Sequence, residues 1–123
     1  MSNTEQLIKG NTSMLILSLL AEKPMHGYAI AKEIEQRTAD LLRFREGTLY
    51  PTLHEMEQKG WIQGSWETTD GGRARKVYSI TPQGLQELQR QQHAWQRFRN
   101  AIEAVIGRKS SRPAEGGIEP CTT

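Results

Sequence analysis

A chain of 123 residues, 36% apolar and 24% charged, is the size of one small domain with a modest core and little spare material. It contains no run of about 18 apolar residues, so no membrane-spanning helix is expected, and its single cysteine, Cys121, excludes disulfides and cysteine-based zinc sites. The net charge of +2 is too small to name a partner, and the distribution of charge carries more information.

The opening stretch, MSNTEQLIKGNTS, lacks the basic and apolar segments of a secretory leader, so the expected compartment is a reducing cytoplasm. Residues 5–21 then form a first helix. From Met14 onward almost every position is apolar, the pattern of a helix buried on two sides, for example between its own domain and a partner subunit. Glu22-Lys23-Pro24 ends it. Tyr28 to Arg37 is a second helix with Tyr28, Ile30, Ala31 and Ile34 facing inward. The linker from Thr38 to Arg45 is expected to tuck Leu41, Leu42 and Phe44 against the core.

A third helix runs from Glu46 to Lys59, with Leu49, Leu53 and Met56 spaced i, i+4, i+7 and Gly60 as its left-handed stop. Pro51 lies inside it, a local conflict of the kind that marks functional segments. Two β-type runs follow, Trp61–Trp66 and Val77–Ile80, around a turn at Asp70-Gly71-Gly72. Alternation puts Arg73 and Arg75 on one face of the second strand and Lys76 on the other. A two-stranded ribbon with cations at its tip suits a nucleic-acid groove or its phosphates. Trp61 and Trp66 lie toward the stem and read as packing residues.

Thr81 as N-cap and Pro82 at the first helical position open a last helix that reaches Ile106, with Gly107 closing it. Leu88, Trp95 and Ile102 recur every seven residues, a coiled-coil-like seam too long for so small a domain to bury alone. Dimerisation through this seam is expected. Residues 108–123 are Gly/Pro-rich and polar and are expected to stay disordered.

Three helices, a hairpin and a long helix give an α+β, mainly α architecture: a winged helix-turn-helix domain at 1–81, a dimerisation helix at 82–107 and a tail at 108–123. Within this order, LSLLAEKPMHGYAIAKEIEQRT, GTLYPTLHEMEQKGWI and GGRARKVYSITPQG together resemble the PadR family of transcriptional regulators, in its short subfamily with a single C-terminal helix. The resemblance covers residues 7–106. It implies a homodimeric repressor that binds a palindromic operator in double-stranded DNA and in some members responds to a small aromatic molecule.

The third helix would then enter the major groove with its N-terminal residues Gly47, Thr48, Tyr50, Pro51 and Thr52. Hydroxyls of Thr48 and Tyr50 suit phosphates or base edges, and Pro51 and the Thr52 methyl suit thymine methyls. The second helix would cross the backbone, making His26, Tyr28 and Lys32 phosphate-contact candidates. Arg73, Arg75 and Lys76 complete the set from the wing. Gln91, Gln92 and Arg99 leave a polar middle in the seam around Trp95. Some short PadR-like regulators carry a tryptophan at the corresponding point, where the pair from two subunits stacks on a flat ligand. On that likeness Trp95 is a ligand-binding candidate, with Met14 and Ser18 as walls. The three histidines have no ligand spacing, so no metal or cofactor is expected, and no catalytic arrangement of side chains is recognisable. The rival from another class is a winged-helix module that binds protein without reading DNA sequence.

Overall fold

The computed structural model of the protein describes residues 3–44 and 46–107, with side chains from Gly10 onward except at position 46. Its elements are helix α1 (Asn3–Leu20), strand β1 (Met25–His26), helices α2 (Gly27–Arg37) and α3 (Glu46–Gln58), strands β2 (Ile62–Thr68) and β3 (Ala74–Ile80), and helix α4 (Pro82–Ile106). The expected tail at 108–123 lies outside the described residues. The chain divides into two compact units, Met1–Gln91 and Gln92–Thr123.

In the first unit the sheet order is β1-β3-β2, antiparallel throughout. The hairpin β2–β3 pairs Ile62 with Ile80 at its base and Thr68 with Ala74 near its tip. Gly72 takes φ +79° in the turn, and its N–H donates to the Thr69 carbonyl at 2.9 Å. Both strands extend further toward the tip than the apolar pattern indicates, because cross-strand pairing tolerates the polar Glu67, Thr68 and Arg75 and the small Ala74 once the turn is closed. Strand β1 is absent from the sequence reading. Two residues, Met25 and His26, pair with Tyr78 and Val77, and a strand that short has no periodicity to detect.

The core gathers Ile16, Leu17, Leu19 and Leu20 of α1, Ile30 and Ile34 of α2, and Leu49, Leu53 and Met56 of α3 over Ile62 and Tyr78 of the sheet. The α3 stripe is the one its spacing predicts. Three expectations need correction. Tyr28 is 61% exposed; Gly27, Ile30 and Ile34 are the buried residues of α2. Leu41 is also exposed, while Leu42 and Phe44 do pack on the core. Leu88 is not an open seam residue. It is 6% exposed and belongs to the core of its own domain, because the first turns of α4 are tied back to that domain.

Thr81 is the knot. Its Oγ1 donates to the Gly60 carbonyl at 2.6 Å and accepts from the Gly84 N–H at 3.0 Å, which caps α4 as expected. Gly60 itself takes φ +82°. Gly84 rests against the Trp61 carbonyl, leaving no room for a side chain. Further along, Ser13 Oγ of α1 donates to Gln91 Oε1 at 3.0 Å, and Gln91 Nε2 donates to Glu87 Oε2 at 2.7 Å. Gln91 is therefore an intradomain link.

In the second unit, residues 92–106 continue α4. Trp95 (39% exposed), Phe98, Ile102, Val105 and Ile106 are exposed there, and the Trp95 and Phe98 rings lie 6.0 Å apart at 37°. The Gly107 N–H, at φ +77°, donates to the Glu103 carbonyl at 3.0 Å and closes the helix.

Hydrogen bonding from Arg90, reinforced by Gln91, holds the Glu87 carboxyl below its ordinary value of 4.5 against the opposing effect of burial. A carboxyl depressed on folding stabilises fully above its unfolded pKa and loses that contribution as pH falls through the folded value. Urea unfolding between about pH 5 and pH 3 should thus fall less steeply for Glu87→Gln than for the native chain. The difference should be no more than about 1.4 kcal/mol per pH unit, one proton's worth. Parallel curves would show that the carboxyl is not held in the fold.

Candidate nucleic-acid interface

Pairing of β1 with β3 fixes where α2 starts. Because His26 lies opposite Val77, Gly27 and the first turn of α2 stand beside the hairpin. Gly27 also lets α3 come close: a Cβ there would lie 2.9 Å from Tyr50 Cε1 and 3.3 Å from Leu53 Cδ1. Helix start, Tyr50 and hairpin together enclose an open cleft of about 510 Å³. Its walls are His26, Gly27 and Tyr28 on one side, Tyr50 on the second, and Trp66 with residues 73–76 and Tyr78 on the third. A smaller hollow of about 220 Å³ between α2 and α3 shares Tyr28 and Tyr50 and adds Lys32 and Phe44.

The α2 end of the cleft is a helix start that no side chain caps. His26 is the N-cap, with φ −70° and ψ 152°, but its side chain makes no capping bond, and the first turn has no acidic residue. Unfilled N–H groups and the helix dipole there favour an anion. The His26 Nδ1 atom is buried without a hydrogen-bond partner, and Nε2 is 3.7 Å from Glu67 Oε1.

The wing divides its cations. Arg73 and Arg75 are exposed, with Arg75 opposite Glu67 in the register. Lys76 is paired within the fold. Its Nζ is 2.9 Å from Glu57 Oε1 on α3 and lies 5.4 Å and 5.9 Å from the Tyr78 and Trp66 rings. The Glu57 hydrogen bond raises the Lys76 ammonium above its usual range, and burial raises the Tyr78 phenol. Trp66, expected at a packed stem, is 69% exposed in the cleft wall, because the register places it opposite Lys76 near the tip. Trp61 is half-buried on the core, with Lys59 Nζ 4.8 Å from its ring.

On α3, Gly47, Thr48, Tyr50 and Pro51 are exposed and Thr52 is half-exposed. Thr48 is inside the helix and is not its cap. Its carbonyl accepts from Thr52 Oγ1 at 2.9 Å, while Pro51, lacking an N–H, leaves the Gly47 carbonyl without its usual helical donor. Lys32 is exposed, with Nζ 5.8 Å from the Tyr28 ring.

The structure therefore brings His26, Tyr28, Tyr50, Arg73, Arg75 and Lys76 to one cleft, with Lys32 in the adjoining hollow. Trp66 reads as a packing residue in the sequence, and Gly27, Ala74, Tyr78 and the uncapped α2 start carry no signal there that points to the cleft. Strand alternation from Lys76 back across the turn would have found Trp66. The ligand candidates are not among the residues that line this cleft. Met14 and Ser18 are half-buried on α1, and the Ser18 hydroxyl donates to the Met14 carbonyl at 2.8 Å; Trp95 belongs to the second unit. Among the described residues no group of His, Cys, Asp or Glu can hold a metal, and no helix is long and apolar enough to cross a membrane.

A family model described as the transcriptional regulator PadR-like family matches residues 16–90. The chain belongs to the PadR-like family of transcriptional regulators. The matched stretch runs from α1 through the cleft-forming elements into the first turns of α4. Transcriptional regulator Rv3488 of Mycobacterium tuberculosis is 33% identical over 82% of this chain and 88% of its own length. A transcriptional regulator from Clostridium thermocellum has the same fold, with a TM-score of 0.75 at 30% identity, covering 80% of this chain and 96% of that one. A PadR family regulator from Eggerthella lenta follows at TM-score 0.74 and 27% identity, covering 85% and 88%. As a PadR-like regulator the protein is a winged-helix transcription factor and not an enzyme.

Seating of Tyr50 on Gly27 is open to a direct check. Gly27→Ala should cost about 1–3 kcal/mol in urea unfolding, the usual range for overpacking, and clearly less in a Tyr50→Ala background. Equal costs in both backgrounds would mean that the ring does not rest there.

Proposed function

We propose that this PadR-like regulator is a cytoplasmic homodimeric repressor that binds a palindromic operator. The observation that supports this reading best is the convergence on one cleft of the uncapped α2 start, Tyr50 from the exposed first turns of α3, and Arg73 and Arg75 of the wing. In this reading residues 1–81 bind DNA. The α3 tip reads bases through Thr48, Tyr50, Pro51 and Thr52, with Gly47 allowing close approach. The α2 start and Lys32 hold one phosphate strand, and Arg73 and Arg75 follow the next.

Residues 82–107 carry dimerisation. Trp95, Phe98 and Ile102 leave apolar surface uncovered in a single chain, and a second α4 is the partner that this reading assigns to them. Leu88 contributes indirectly, by anchoring the helix on its own core. A planar aromatic effector stacks against Trp95 and its symmetry mate and releases the operator.

Fluorescence anisotropy on the best duplex recovered from a randomised pool, and on a scrambled duplex, tests the DNA reading. Double substitution of Arg73 and Arg75 by alanine should lower the salt slope by about two units and weaken both duplexes alike. Thr48→Ala should cost about 1–3 kcal/mol on the recovered duplex and much less on the scrambled one. Wild-type protein that recovers no preferred sequence would favour the protein-binding module instead.

A further inference from the structure

Glu57 is an acidic residue on the helix that the proposed function places in a groove lined with phosphates. A free carboxylate there would oppose binding. Its side chain instead turns to the wing. Oε1 accepts from Lys76 Nζ of β3 at 2.9 Å, and Oε2 accepts from the Gly64 N–H of β2 at 3.2 Å. One carboxylate thus holds both strands of the hairpin. Gly64 is part of the device: a Cβ there would run into the Lys76 side chain and stand 3.0 Å from Glu57 Oε2. The pair is three-quarters shielded, with 29% and 25% of its side chains exposed, so water and salt screen it less than a surface pair.

We infer that Glu57 is a positioning residue of the DNA-reading surface, fixing through Lys76 and Gly64 the angle between wing and third helix so that both engage one duplex in register. The inference rests on the DNA-binding reading above. Leverage gives it weight. From Gly64 to the hairpin tip is roughly 15 Å at the rise of a β-strand, so a swing of about 10° at the clamp moves Arg73 by about 3 Å. That is a whole hydrogen-bond length, enough that a wing seated on its phosphates draws the third helix off the bases it reads.

The rival role for Lys76 is direct phosphate contact, and the two roles leave different signatures. Glu57→Gln, Lys76→Met and the double variant are titrated by anisotropy on the best recovered duplex and on its scramble, over a salt series. If the clamp positions the wing, each single variant loses about tenfold in preference for the recovered duplex, and the double variant loses no more than either, the non-additivity of one shared interaction. The salt slope of Lys76→Met then changes by less than about one unit. Without DNA, exchange of the Gly64 amide is faster in Glu57→Gln than in the native chain.

A Lys76→Met variant that loses about one unit of slope and weakens on both duplexes equally overturns the inference. So does a Glu57→Gln variant that binds more tightly with its preference intact, or one whose Gly64 amide exchanges at the native rate. Wild-type protein with no preferred duplex removes the DNA-binding reading and this inference with it, whereas a wild-type preference retained in both single variants removes the inference alone.

Discussion

The pairing of Met25 and His26 with Tyr78 and Val77 is the joint on which the functional surface depends. It is only two residues long, yet it ties the start of α2 to the strand that carries the wing. Without it the hairpin would still rest on the core through Ile62 and Tyr78, but nothing would pair β3 with the start of α2. With it, the helix start, the wing and, through the contact of Gly27 with Tyr50, the tip of α3 share one frame. Burial of Met25 and Tyr78 stabilises the joint from beneath, since both side chains join the core that α1, α2 and α3 also fill.

Charge is distributed around this joint by strand alternation. Successive residues of β3 point to opposite faces, so the cations of a single basic run do different work. Arg73 and Arg75 stay exposed, while Lys76 turns to Glu57 and the Trp66 and Tyr78 rings. The lysine and the carboxylate cancel one another where the fold needs a link. Free positive charge is left at the wing tip, and the uncapped start of α2 adds a partial positive charge of its own. The net charge of +2 conceals this arrangement.

What the sequence makes legible is whatever repeats or punctuates. The spacing of Leu49, Leu53 and Met56 declares the buried face of α3, and Gly60, Gly72 and Thr81-Pro82 mark its stop, the turn and the last helix start through local backbone chemistry alone. Features that depend on who sits opposite are hidden. Strand β1 has no period to show. Tyr28, Leu41 and Trp66 look like core residues by type but are exposed, because only the packed fold decides which side of an element has a neighbour. The spacing of Leu88, Trp95 and Ile102 identifies one helix face without naming its partner, and Leu88 proves to be covered by its own domain. Glu57 and Lys76 are nineteen positions apart and meet only through the hairpin register.

Hydrogen exchange with and without the recovered duplex tests the central claim most directly, since the claim concerns three separate segments acting as one surface. Slowed exchange is predicted together at the first turn of α2, the first two turns of α3 and the turn between β2 and β3, with the outer half of α4 unchanged on DNA addition. Protection confined to α3, or protection centred on α4 with the wing and the α2 start untouched, would contradict the account.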